Sequence, residues 1–211
     1  MRVILASASP RRRELLKQLV EEFEVIPADV DEEAYAETHW HTVAKELSQL
    51  KAKAVWKNNQ DAVVIGADTE VILEVSPLRA EISKLGADPA EALFRRRWPM
   101  GKPKDVEDAR RMLRLLSHRR HFVSTGVCVL TPDWSETFVE ISAVRFRKLS
   151  EHEIADYVAT GEPMDKAGAY AIQGGARDFV VRVDGSISNV IGLPLERLGP
   201  VLERALSGQG D

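Results

Sequence analysis

Two carboxylates, Asp68 and Glu70, flank Thr69 near the end of the apolar run in DAVVIGADTEVILE (61–74). If these residues stay extended, the i,i+2 spacing puts both acids on one face and Thr69 on the other. Acids at the end of a buried strand suit Mg²⁺ or Mn²⁺, or the activation of water. They are also what ordinary strand-end charges look like. A second cluster lies in LASASPRRREL (5–15), where Arg11, Arg12 and Arg13 follow Ser7, Ser9 and Pro10. Guanidinium forks match phosphate oxygens. Three arginines in the first turn of a helix oppose its dipole, and that local conflict is relieved if an anion arrives. Lys102, in the GKP turn (101–103), and Lys51 and Lys53, near the end of a helix, can serve as phosphate ligands. Gln173, in the glycine-rich AGAYAIQGGA, has an amide that offers a donor and an acceptor to a base edge. His39 and His41 have a spacing that suits a metal, but no cysteine joins them, so zinc is disfavoured.

The elements that must carry these residues alternate in the α/β manner. RVILA (2–6) reads as a buried strand, Ser9 as the N-cap and Pro10 as the first residue of a helix with Leu15, Leu16 and Leu19 inward. FEVIP (23–27) reads as a second strand, followed by the acidic loop ADVDEE (28–33). Residues 40–57 show helical spacing, and 61–74 read as one long strand or a strand pair. Residues 75–100 contain three prolines and an arginine run without a clean period. They read as an excursion with a short helix at 88–96. A helix at 105–117 follows, then a hairpin from 121–130 and 136–149, a capping box at Ser150 and Glu153, a strand at 178–185 and a final helix.

The chain has 211 residues, 44% hydrophobic and 29% charged, as expected of one globular domain of two lobes. A net charge of −4 disfavours stable nucleic-acid binding, including an RNA-binding reading of Arg11–Arg13 and Arg95–Arg97. The single cysteine, Cys128, allows no internal disulfide and points to a reducing compartment. No leader and no apolar stretch of membrane-spanning length is evident, so a cytoplasmic protein without a membrane partner is expected.

Five pieces in this order, LASASPRRREL, GADT, GKP, GEPMDKAGAYAIQGGA and NVIGLPL, resemble the Maf family from about Val3 to Leu206. The resemblance implies an α/β fold like that of the inosine triphosphate pyrophosphatases: a two-lobed mixed sheet flanked by helices, with a central cleft. The whole of 1–211 would be one such domain, and 75–100 an insertion longer than the family's usual link. It implies hydrolysis of a nucleoside triphosphate between the α and β phosphates, to monophosphate and pyrophosphate, with a divalent cation (Mg²⁺ or Mn²⁺). The form AGAYAIQG is similar to the subgroup acting on dTTP and UTP. By the same resemblance Ser9, Arg11, Arg12, Lys51, Thr69 and Gln173 bind substrate. Asp68 and Lys102 are catalytic, Asp68 and Asp31 hold metal, and Glu70, where the family has an apolar residue, is an added metal ligand or faces away. A homodimer is implied as well. The competing expectation is a non-catalytic nucleotide-binding regulator of cell division and septum formation.

Overall fold

The computed structural model describes residues 1–32, 40–74 and 97–207, and of Trp40, His41, Glu74, Arg97 and Trp98 the backbone alone. Among the described residues, seven strands form one sheet flanked by helices, a mixed α/β fold. The strand order is β2-β1-β3-β5-β6-β7, with β4 paired to β3 off this path. The chain divides into two compact units, Met1–Thr69 with Ser124–Ile141 and Ser186–Asp211, and Glu70–Val123 with Ser142–Gly185.

In the first unit β1 (Val3–Leu5) runs parallel to both β2 (Glu24–Val25) and β3 (Val63–Glu74). Ile4 pairs with Glu24 on one side and Val64 on the other. A strand covered on both faces reads as an unbroken apolar run, which is what VIL and VVI are. The second strand is shorter than FEVIP suggested: Glu24 and Val25 pair in register with β1, and beyond them the Ile26 N–H donates to the Leu5 carbonyl at 3.1 Å. Helix α1 (Pro10–Leu16) buries Leu15 and Leu16, and α2 (Trp40–Trp56) supplies Ala52 and Val55 to a core with Ile4, Val64, Cys128 and Leu130. Cys128 is a buried free thiol whose pKa burial raises, as a core cysteine should be.

The approach of α2 to the sheet is set by glycine. A Cβ on Gly66 would lie 2.3 Å from the Ser48 carbonyl oxygen, and one on Gly126 2.1 Å from that of Ala44. Ala44, Ser48 and Ala52 recur every four residues, so a stripe of small side chains on α2 meets bare backbone on the strands.

β3 is one continuous strand, which settles the choice between one strand and two. In the second unit it pairs antiparallel with β4 (Arg97–Met100), Val71 opposite Met100 and Ile72 opposite Pro99. RWPM is therefore a strand, not the end of an irregular excursion. Proline, which cannot donate to a ladder, is tolerated because β4 pairs only with β3 among the described residues. The expected helix at 88–96, residues 75–96 of the excursion, and His39 lie outside the described residues.

Asp105 caps α3 (Val106–Leu116) by accepting from the Asp108 N–H at 2.8 Å. Ser150 and Glu153 form the full capping box of α4 (Glu151–Ala159). The strands β5 (Arg120–Leu130) and β6 (Ser135–Phe146) are neighbours joined by a turn in which Thr131 and Trp134 exchange hydrogen bonds. β7 (Val180–Asp184) lies antiparallel to β6. Around their second-unit residues Phe146, Tyr157, Tyr170 and Phe179 pack edge to face. Helices α5 (Ile187–Ile191) and α6 (Leu195–Ser207) return to the first unit. No described helix is long and apolar enough to cross a membrane.

Candidate active site

Ser9 caps α1 as its position before Pro10 predicts, accepting from the Arg12 N–H at 3.4 Å. With only seven residues in α1, the positive charge at this corner comes mainly from the guanidinium groups rather than from the helix. Arg12 is held on three sides. Its Nε donates to the Gly192 carbonyl at 2.9 Å, Nη1 to Ser7 Oγ at 3.1 Å and Nη2 to Thr69 Oγ1 at 3.0 Å. Of the five N–H donors of a guanidinium, two remain for a ligand among the described residues. Burial draws the Arg12 pKa below its usual value; Asp68 offsets that, Arg11 adds to it, and Glu32 opposes it. The charges of Arg12, Asp68, Arg11 and Glu32 thus act on one another, and Arg11 itself is half-buried.

Asp68 is buried at the end of the first-unit part of β3. Its Oδ1 accepts from Lys51 Nζ at 2.7 Å, and both side chains are only 10% exposed. The same ammonium lies 2.8 Å from Glu32 Oε1. The glycine-set distance between α2 and the sheet is what lets Lys51, from the middle turns of α2, reach a strand residue. Asp31, the acid expected in this loop, is exposed, and the loop carboxylate on Lys51 is its neighbour Glu32. Thr69 is half-buried and bonds both Arg12 and Thr125, the latter at 3.0 Å between hydroxyl oxygens. Thr125 in turn donates to the Asn189 carbonyl at 3.0 Å.

Six of the sequence-predicted residues therefore fall in the first unit with Asp68: Ser9, Arg11, Arg12, Lys51, Thr69 and Asp31. Glu70, Lys102 and Gln173 fall in the second. Glu70 is half-buried, and Lys102 and Gln173 are exposed. The GKP turn and the glycine-rich segment meet there, the Gly168 N–H donating to the Gly101 carbonyl at 3.0 Å. The turn carrying Gln173 is fastened at both ends. Tyr157 Oη accepts from the Ala171 N–H at 3.1 Å and donates to Glu162 Oε1 at 2.8 Å, while Glu162 Oε2 accepts from the Gly175 N–H at 3.1 Å. A Cβ on Gly174 would fall 2.1 Å from Glu162 Oε1.

Ser7, Glu32 and Thr125, with the carbonyls of Asn189 and Gly192, join the site without having been singled out in the sequence. Glu32 was signalled only as part of an acidic loop, and main-chain carbonyls leave no side-chain signal at all. The Asp68 and Glu32 carboxylates converge on one cation, the Lys51 ammonium. Such a pair of hard oxygen donors fits the donor set that Mg²⁺ or Mn²⁺ takes.

A family model described as "Maf-like protein" matches residues 2–205. A dTTP/UTP pyrophosphatase of Aquifex aeolicus is 45% identical over 202 residues, covering 96% of this chain and 94% of that protein. One from a Geobacillus species is 43% identical over 195 residues, covering 92% of this chain and 93% of its own. Among solved structures, the Ham1 protein of Staphylococcus aureus aligns with 96% of this chain and 98% of its own at 16% identity and a TM-score of 0.46, too remote to bear on function.

Proposed function

The chain belongs to the Maf family, and on that premise we propose that it is a nucleoside triphosphate pyrophosphatase. It hydrolyses dTTP and UTP between the α and β phosphates, to the nucleoside monophosphate and pyrophosphate. The observation that supports the reading most is the buried Asp68 carboxylate, charge-paired with Lys51 and coupled to an arginine already tied on three sides.

In this reading the two remaining N–H donors of Arg12 hold phosphate oxygens, and Arg11 adds charge beside them. Phosphoryl transfer depends mainly on positioning and charge stabilisation, so an arginine that need not reorganise favours the transition state. Lys51 shifts part of its charge from Asp68 to the substrate, and Asp68 then orients and deprotonates the attacking water. A divalent cation fits on Asp68 and Glu32, where it would supply Lewis-acid stabilisation of phosphate charge. By family likeness, Lys102 is assigned to charge on the leaving pyrophosphate and Gln173 to the base edge. A cytoplasmic homodimer belongs to the same reading, and sedimentation tests the dimer.

Pyrophosphate release from a panel of nucleoside triphosphates, with Mg²⁺ or Mn²⁺, tests the proposal. Turnover of dTTP and UTP is expected, and Asp68→Asn should lower it on the order of 10²-fold or more. Nucleotide binding without turnover would replace the enzyme with a nucleotide-binding regulator.

A further inference from the structure

We propose that Thr125 is a positioning residue for the phosphate-binding arginine, acting through Thr69 and touching no substrate itself. The inference rests on the pyrophosphatase reading above. It follows from counting protons along a chain of contacts within the first unit.

Thr125 Oγ1 lies 3.0 Å from the Asn189 carbonyl oxygen and 3.0 Å from Thr69 Oγ1. A carbonyl can only accept, so the single hydroxyl proton of Thr125 goes to Asn189. The proton between the two threonines therefore comes from Thr69, and Thr125 accepts it. The guanidinium can only donate, and with its own proton so used Thr69 presents a lone pair to Arg12 Nη2 at 3.0 Å. The direction of every bond is thus fixed, from Arg12 to Thr69 to Thr125 to the Asn189 carbonyl.

Thr125 decides where the Thr69 proton points. It is fully buried on β5, away from solvent that could replace it. Without its hydroxyl, the Thr69 proton loses its acceptor and the Thr69 hydroxyl is free to rotate, so its lone pairs are no longer held toward Nη2. The Gly192 carbonyl and Ser7 would still hold Nε and Nη1, so the fork would stay bound on one edge and swing on the other. The two free donors would then no longer be held toward a phosphate.

Thr125→Val keeps the shape of the side chain and removes the hydroxyl; Thr125→Ser keeps the hydroxyl. Steady-state hydrolysis of dTTP and UTP by the full chain should show kcat/KM about 10-fold lower for Thr125→Val, the scale of one hydrogen bond to a charged group. Thr125→Ser should recover it to within about 3-fold. In an Arg12→Ala background, Thr125→Val should cost nothing further, because its effect passes through the arginine. A Thr125→Val protein equal to wild type, a Thr125→Ser protein as impaired as Thr125→Val, or the same loss with and without Arg12 would each overturn the proposal. Thermal melts identify a variant that simply fails to fold, in which case Thr125→Ser against wild type decides. Should the wild type turn over none of the nucleotides, the pyrophosphatase reading falls. The relay is then judged by calorimetric binding of inorganic pyrophosphate, with the same order expected across wild type, Thr125→Ser and Thr125→Val; equal affinity in all three overturns it.

Discussion

Lys51 Nζ lies 2.7 Å from Asp68 Oδ1 with both side chains withdrawn from solvent, although the residues come from a helix and a strand 17 positions apart. Water screens such a pair little, so each partner depends on the other for its charge to be tolerable. Lys51→Met should cost about 3 kcal/mol of stability, the lower end for breaking a buried pair, and lower nucleotide hydrolysis as well. Urea denaturation of the variant measures the first. A change below about 0.5 kcal/mol would show that the pair is solvated like a surface bridge.

Arg12→Lys keeps the charge and loses the fork. One ammonium cannot serve the Gly192 carbonyl, Ser7 and Thr69 at their observed distances and also reach a phosphate. A fall in kcat/KM of about 10- to 100-fold is expected, from hydrogen bonds to a charged group. Wild-type kinetics in this variant would mean that only the charge at this position matters.

Gly174→Ala puts a methyl where the Glu162 carboxylate lies. The carboxylate must turn away, releasing the Gly175 N–H and Tyr157. A loss of about 1–3 kcal/mol is expected, about 0.5–1.5 kcal/mol for each of the two hydrogen bonds released, read by thermal unfolding. If Gln173 reads the base, the ratio of UTP to other nucleotide rates should change in this variant while pyrophosphate affinity does not.

The pH dependence of stability has a buried source. His121 donates or accepts one bond, with Tyr170 Oη at 2.9 Å, and its burial holds the pKa down from 6.5 to about 3. The unfolded chain takes up a proton below pH 6.5 that the folded chain refuses until about pH 3. Stability should therefore fall as pH is lowered through that window, approaching about 1.4 kcal/mol per pH unit. Glu153, whose pKa is lowered from 4.5 to about 2 by Arg147 and Ser150, acts only in the lower part of the range. Denaturation at pH 5 and 6 isolates the histidine: His121→Phe should flatten the slope there whatever it does to the absolute stability. An unchanged slope would place the titration elsewhere.

Local physics made part of this legible in sequence. Ser9 before Pro10, and Ser150 three residues before Glu153, cap helices through contacts a few positions away, and the structure has both. The continuous apolar runs of β1 and β3 likewise announce strands buried on both faces. β4 was hidden because Pro99 and the arginine run ending at Arg97 carry the sequence marks of a loop, and only pairing with β3 makes Arg97–Met100 a strand. Within the acidic loop nothing periodic distinguishes Asp31 from Glu32, so which acid meets Lys51 depends on how the loop is laid against α2. Thr125 looked like any strand threonine, and its meaning comes from two oxygens belonging to distant parts of the chain.

Gly66 and Gly126 give this arrangement a mechanical property. Where layers are separated by side chains, rotamer changes and small shifts let a helix ride up or down by fractions of an ångström. Here the main chain of α2 rests on the main chain of two strands, with only alanine and serine side chains beside the contact and no long side chain to change rotamer. The helix has a hard floor, and the reach of Lys51 is measured from it. The spacing between ammonium and carboxylate is then a property of the backbone, insensitive to repacking elsewhere in the core, and the smallest side chain added at either glycine would act as a shim beneath the Lys51 ammonium.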